Sequence, residues 1–275
     1  MFLNCGRFRL TLDRPLLMGV INVTPDSFSD GGLYLNTAAA VAHARQLIDE
    51  GADLLDIGGE STRPGAVPVT LDEERRRVLP VLEALADAGV PLSIDTQKPE
   101  LMREAAAAGA AMINDVNGFE AQGALAAVAA GHCAICIMHK QGSPQDMQQS
   151  PQYTDVVTEV RDYLQQRVAA AQQAGVSRER LLVDPGFGFG KTLNHNLELL
   201  RRLDEIAAPG VPVLAGLSRK SMIGKLTGRD AGDRLAGSVA AALFAVQRGA
   251  AIVRVHDVAA TRDALAVWGA VNKPH

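Results

Sequence analysis

Acidic, amide and basic side chains recur in this sequence at one kind of position, the last residues of short apolar runs. Asp56 follows Leu54 on the same face of one run, Asp95 closes Pro91–Asp95, Asn114 and Asp115 lie within Ala111–Val116, and Asp184 closes Leu181–Asp184. A carboxylate in an otherwise apolar strand must be paired or hydrogen-bonded, and that demand usually marks a site. Arg254 and His256 stand two residues apart in Ile252–Asp257, so an extended chain puts them on one face and Val253 and Val255 on the other. Such a cationic pair suits a phosphate-type anion; the alternative is a structural ion pair with a neighbouring carboxylate. Ser218-Arg219-Lys220-Ser221 adds two cations just before a helical segment. Ser218 is expected to cap that helix, whose free N–H groups would complete an anion site. Two surfaces result. Asp56, Asp95, Asn114 and Asp184 can hydrogen-bond a neutral, nitrogen-rich heterocycle, whereas Arg63, Lys220, Arg254 and His256 can hold anions.

Other segments carry weaker signals. The first apolar run ends at Asn22 and enters Val23-Thr24-Pro25-Asp26-Ser27-Phe28-Ser29-Asp30-Gly31-Gly32. This is long for a βα connection and suits a lid, and its oxygens suit a hard cation such as Mg²⁺. The stretch Asp184-Pro185-Gly186-Phe187-Gly188-Phe189-Gly190-Lys191-Thr192 resembles a phosphate-binding loop only in its ending, because Pro185 stands where that motif requires glycine. Its alternating glycines and rings are expected to pack Phe187 and Phe189 against a flat ligand. Cys133 and Cys136 are not read as a Cys-x-x-Cys centre: their odd offset in an apolar strand puts them on opposite faces. His139 ends a strand and is read as structural, His43 as helix surface, and His195 as lying near a helix start.

The elements that must position these groups follow from periodicity. Apolar runs occur at Leu16–Val23, Asp53–Ile57, Pro91–Asp95, Ala111–Val116, Cys133–His139, Leu181–Asp184, Pro212–Ser218 and Ile252–Asp257. Helical periodicity is clearest in Thr37–Glu50, Leu71–Ala88, Pro99–Ala108, Asp155–Ala174 and Arg234–Arg248. Gly51, Gly89, Gly109, Gly131, Gly175 and Gly249 follow helical stretches, where a left-handed residue ends a helix cheaply. The alanine runs 105–108 and 126–130 fit helix faces packed closely on a sheet. Eight strands alternating with helices over 275 residues predict one α/β domain, residues 1–275, folded as a (β/α)₈ barrel, with a short N-terminal β-hairpin around Phe8 and Leu10. A doubly wound sheet would more often show Gly-x-Gly-x-x-Gly after its first strand, which this chain lacks. The composition agrees: 47% hydrophobic but only 4% aromatic residues imply an aliphatic core of doubly buried parallel strands. A net charge of −4 gives no basic field for nucleic acid. The N-terminal residues lack a signal-peptide apolar region, no run approaches membrane-spanning length, and a cytoplasmic, reduced protein is expected.

Taken together and in order, the segment Met18–Gly32, Gly59-Glu60-Ser61-Thr62-Arg63-Pro64-Gly65, Asp184–Lys191, Ser218–Ser221 and Arg254-Val255-His256-Asp257 resemble the dihydropteroate synthase family, the sulfonamide-inhibited enzymes of folate biosynthesis. The resemblance runs over almost the whole chain and implies a (β/α)₈ barrel. It implies condensation of 6-hydroxymethyl-7,8-dihydropterin diphosphate with 4-aminobenzoate, releasing diphosphate. By position it assigns Asp95, Asn114, Asp184 and Lys220 to the pterin ring, with Asp95, Asp184 and Lys220 as the catalytic set. It assigns Thr62, Arg254 and His256 to the pterin diphosphate, Asn22 to Mg²⁺, and Thr62, Arg63, Pro64, Phe189 and Ser221 to aminobenzoate. It also implies a homodimer, for which a late helix with Leu265, Val267 and Trp268 is a candidate contact. Departures from the family pattern are Lys140 after His139 and Gln97 after Asp95-Thr96; neither falls on an assigned residue.

Because no Ser/His or Cys/His pair accompanies the strand-end carboxylates, the expected mechanism is a dissociative, S_N1-like substitution governed by electrostatics. Two other readings compete. A methyltetrahydrofolate-binding methyltransferase shares the barrel plan but handles no diphosphate, so it has no need of the first loop or of Arg254 and His256. A catalytically silent pterin-binding relative would be expected to lack Asn22, Lys220 or Arg254, all of which are present.

Overall fold

Parallel strands covered on both faces leave polar side chains one place to collect, the open end of the sheet. A computed structural model of the chain describes residues 1–24, 32–62, 65–142, 147, 151–206 and 210–272. It opens with an antiparallel hairpin, β1 (Phe2–Cys5) and β2 (Phe8–Thr11). Eight parallel strands follow: β3 (Leu16–Asn22), β4 (Leu54–Gly58), β5 (Leu92–Asp95), β6 (Met112–Asp115), β7 (Ala134–Met138), β8 (Leu181–Asp184), β9 (Val213–Ala215) and β10 (Ala250–Val255). They close into a barrel in sequential order, β10 pairing with β3. The connecting helices are α1 (Gly32–Asp49), α2 (Leu71–Ala84), α3 (Pro99–Ala107), α4 (Ala124–Ala129), α5 (Val156–Gln173), α6 (Leu193–Arg201), α7 (Ser221–Thr227), α8 (Leu235–Gln247) and α9 (Val258–Asn272). The (β/α)₈ barrel with its N-terminal hairpin is therefore the fold. Among the described residues, no helix is long and apolar enough to cross a membrane.

Alternation along the strands divides the core in two. Outward residues such as Leu55, Ile57, Ile94, Ile113, Ile135, Val183 and Val253 pack under the helices. Inward residues Leu16, Met18, Leu54, Met112, Ala134, Cys136, Leu182, Leu214 and Ile252 form a separate cluster inside the barrel. Leu3 and Cys5 of the hairpin join that inner cluster, and the Cys5 thiol donates to Ala111 O at 3.3 Å. The hairpin thus plugs the N-terminal end of the barrel. One period of two further along the same inward faces, Leu54 gives way to Asp56, Met112 to Asn114, Leu182 to Asp184 and Ile252 to Arg254. Apolar layers fill the bottom and polar groups line the mouth.

Several expectations need adjustment. β9 spans three residues instead of Pro212–Ser218, so Ser218 lies in the loop beyond it. α2 ends at Ala84, and α1 begins before Thr37. Gly51, Gly89, Gly109, Gly175 and Gly249 are left-handed, but Gly131 is not. Cys133 and Cys136 do fall on opposite faces, one in the outer cluster and one in the inner, and the three cysteines are free.

Leu3→Ala removes a fully buried side chain from the plug. It should cost about 2–5 kcal/mol, read as a lower midpoint in urea unfolding at unchanged slope.

Candidate functional site

The mouth is organised by charge. Arg254, inward on β10, donates Nε to Asp56 Oδ2 at 2.6 Å and Nη2 to Asp95 Oδ2 at 3.2 Å. Asn114, inward on β6, donates Nδ2 to the same Asp56 oxygen at 3.0 Å. Asp56 is fully buried, and its Oδ1 has no hydrogen-bond partner among the described residues. Burial, reinforced by the Asp56 charge and opposed by Arg254, pushes the Asp95 carboxyl up to about 8. Arg254, the predicted anion group, thus also forms the structural ion pair that was its alternative reading.

Opposite this cluster stand Asp184 and Lys220. Asp184, buried at the end of β8, accepts from Gly186 N at 2.7 Å, and burial raises its pKa against the pull of Lys220. Lys220 donates to Phe187 O and lies 4.7 Å from the centre of the Phe189 ring. Desolvation lowers its ammonium to about 8, with Asp184 working the other way. Gly216 shows how closely these groups converge. A Cβ placed there would lie 3.8 Å from Asp184 Oδ2, 3.9 Å from Lys220 Nζ and 3.9 Å from Arg254 Cβ. A side chain at this position would stand in van der Waals contact with all three.

Beyond β9 and β10 the outcome differs from expectation. Ser218 does not cap α7; Lys220 occupies the cap position, without a side-chain cap bond. Ser218 Oγ instead accepts from His256 N at 3.2 Å and lies 3.0 Å from His256 Nδ1, fixing the imidazole at the mouth. Arg219 does not join Lys220 in an anion site. Its backbone is left-handed, φ 57°, and its guanidinium donates to Asp257, with Nη2 2.5 Å from Oδ1. Phe187 does not reach a ligand surface, because it is buried in the outer core. Phe189 stays at the mouth, and Ser221 is exposed at the start of α7.

The β4 loop rests on an ionic support. Lys98 bridges Glu60 and Glu74, the latter at 2.5 Å, and Arg77 donates to Gly59 O at 2.8 Å. Gln97, one of the family departures, places Nε2 3.4 Å from Glu60 Oε1 and belongs to this support. Thr62 lines a small cavity with Glu60, Glu74, Asp95 and Thr96. Arg63, Pro64 and the expected lid at 25–31 lie outside the described residues. Asn22 ends β3 in register with Gly58, itself in register with Asp95. Among the described residues no three His, Cys, Asp or Glu side chains form a metal cage.

One group carries more than its sequence position conveyed. Asp56 ties Arg254 to Asn114 from within β4, a role signalled only by a carboxylate in an apolar strand. His139 is structural as read. Its ring sits edge-on to Tyr163, centroids 4.9 Å apart, and burial with nearby Lys191 lowers its pKa to about 2. His195 takes the third position of α6 in a capping box with Thr192, and His43 is half-exposed on α1.

Comparison with known proteins agrees in extent as well as in kind. Residues 18–256 match the model of a family described as pterin binding enzyme. The dihydropteroate synthase of Neisseria meningitidis serogroup C is 55% identical over 272 residues, covering 97% of this chain and 96% of that protein. The Xanthomonas albilineans dihydropteroate synthase, solved with 4-aminobenzoic acid, superposes with a TM-score of 0.94 at 57% identity, covering 99% of both chains. The Burkholderia cenocepacia dihydropteroate synthase, complexed with 7,8-dihydropteroate, gives 0.91 at 56% identity, covering 98% of this chain and 96% of that one.

The raised pKa of Asp95 has a stability consequence with a definite sign. The unfolded carboxyl titrates near 3.8 and the folded one near 8, so between these values the folded state holds the extra proton. Stability from this group is complete below pH 4 and is lost as pH rises through 8. Urea unfolding of Asp95→Asn across pH 4–8 should therefore show a smaller decline with pH than the unsubstituted protein.

Proposed function

The chain belongs to the pterin-binding enzyme family, and from that membership and the barrel mouth we infer that it is a transferase of folate biosynthesis. It condenses 6-hydroxymethyl-7,8-dihydropterin diphosphate with 4-aminobenzoate to give 7,8-dihydropteroate and diphosphate. The observation that carries this reading is the convergence of Asp184, Lys220 and Arg254 around Gly216. Beside it stand Asp95 and Asn114, completing a wall of acceptors and donors matched to a flat, nitrogen-rich ring.

The chemistry follows from the charges. The pterin ring lies between Asp95, Asn114, Asp184 and Lys220. Arg254 and His256, with Thr62 from the β4 loop, take the diphosphate. Asn22 would hold Mg²⁺ through its amide oxygen, a hard donor suited to that ion. The ion held there would supply positive charge beside the leaving group. The C–O bond breaks with its electron pair going to diphosphate, and the electron-rich pterin spreads the resulting cation, which Asp184 stabilises across a dry site. The neutral arylamine attacks the methylene carbon and then loses its extra proton to solvent. Thr62, Arg63, Pro64, Phe189 and Ser221 frame that amine.

The same reading places the enzyme in the cytoplasm, where a reducing environment suits Cys5, Cys133 and Cys136 as free thiols. It makes the enzyme a homodimer. Leu265 and Trp268 pack against the chain's own core, which leaves Val267 and Val271 of α9 and Phe244 of α8 as the exposed apolar contacts.

Steady-state turnover with both substrates and Mg²⁺ tests the activity; no dihydropteroate would overturn it. Asp184→Asn should lower kcat by about 10²–10³ while leaving the thermal midpoint nearly unchanged. Gly216→Ala meets no contact below 3.8 Å in the folded protein, so it should fold normally yet raise the KM for the pterin substrate at least about tenfold. Isotope exchange in the diphosphate ester should proceed without the amine. A strict requirement for aminobenzoate before C–O cleavage would exclude the dissociative path.

A further inference from the structure

The Gly190-Lys191-Thr192 ending, which fails as a phosphate loop, leaves a buried lysine without an assigned task. Lys191 is 2% exposed, and every hydrogen-bond partner of its Nζ is neutral. Three are backbone carbonyls, Gly186 O at 2.9 Å, Phe189 O at 3.0 Å and His139 O at 3.4 Å, and the fourth is His139 Nδ1 at 2.9 Å. Burial pushes the Lys191 ammonium well below its ordinary pKa, with Asp184 opposing the shift, so the Nζ–Nδ1 contact holds with either group as donor. Three backbone carbonyls from two loops thus converge on one nitrogen that is covalently tethered to the chain.

What this cage encloses is the loop between β8 and α6. Gly186 O comes from its start and Phe189 O from its middle, and His139 directly follows β7. The loops meet so closely that a Cβ on Gly186 would stand 1.9 Å from His139 O, and one on Gly190 2.3 Å from Gln141 O. Tyr153 adds a hydrogen bond to Gly190 O at 2.9 Å. The same loop carries the two groups that hold Lys220, namely the carbonyl of Phe187 and the ring of Phe189.

We propose that Lys191 is a positioning residue, a tethered internal clamp that folds the β8 loop into the shape in which Phe187 O and Phe189 aim Lys220 at the pterin. It touches no substrate and acts through Lys220. The proposal rests on the activity inferred above, and the test separates the two. Turnover by the unsubstituted protein reports on the activity, whereas a double-mutant cycle read on calorimetric affinity for dihydropterin diphosphate reports on Lys191.

Lys191→Met should weaken that affinity at least about tenfold in the otherwise unsubstituted protein, but less than about threefold when Lys220 is already Met. A purely structural role would give losses that multiply. Multiplying losses, or an unchanged affinity in Lys191→Met, would overturn the proposal. Should Lys191→Met fail to fold by circular dichroism, the cycle is run with His139→Leu, which removes the imidazole acceptor and keeps the three carbonyls. The same two outcomes then decide.

Discussion

One guanidinium holds the mouth of this barrel together. Arg254 is the cation that binds Asp56 and Asp95 directly, two carboxylates at the upper inner layer of adjacent strands. Left alone, each carboxylate would be costly in a site this dry, because burial removes hydration that amounts to several kcal/mol per ion. Asp95 shows the strain of the arrangement, since its carboxyl titrates near 8 even with Arg254 beside it. Asp184 and Lys220 repeat the theme across the mouth, each shifted toward its neutral form by burial and restrained by the other. The site is therefore a nearly balanced set of buried charges. A ligand with donors on one side and a diphosphate on the other replaces internal partners with its own groups, and that exchange makes a charged site both stable when empty and receptive when filled.

The fold makes such a set affordable only at one end. Along β4, β6, β8 and β10 the inward positions are apolar near the N-terminus and polar near the C-terminus, so a single period-two pattern builds both the packed interior and the reactive rim. The hairpin residues Leu3 and Cys5 close the lower end and leave the upper one open. Loops then supply what strands cannot. The β8 loop shapes the surroundings of Lys220, and the Lys98–Glu60–Glu74 bridge supports the base of the β4 loop.

This division explains what could be read in the sequence. Asp95, Asn114, Asp184 and Arg254 were legible because a polar residue in an apolar strand has a fixed face and a strong demand for partners. Legibility stops where the strand stops. β9 ends at Ala215, so period-two reasoning had no hold on Ser218 or Arg219. The left-handed backbone at Arg219 turns that side chain to Asp257, and Ser218 serves His256 instead of the helix. The alternating glycines that appeared to present two rings together instead let the chain reverse between them, burying Phe187 and leaving Phe189 at the mouth. Lys191 was invisible for a different reason: three of its four partners are backbone carbonyls, which leave no residue-type signature.

The central claim is that Arg254 compensates the carboxylates of the mouth, and urea unfolding of a charge-paired double variant tests it most directly. Arg254→Met should destabilise the free protein by about 3–5 kcal/mol, because the buried Asp56 carboxylate loses its cation and Asp95 loses a hydrogen-bond donor. Adding Asp56→Asn should recover a substantial part of that loss, so that the double variant is more stable than the sum of the single effects requires. Additive losses, or an Arg254→Met variant as stable as the unsubstituted protein, would contradict the account.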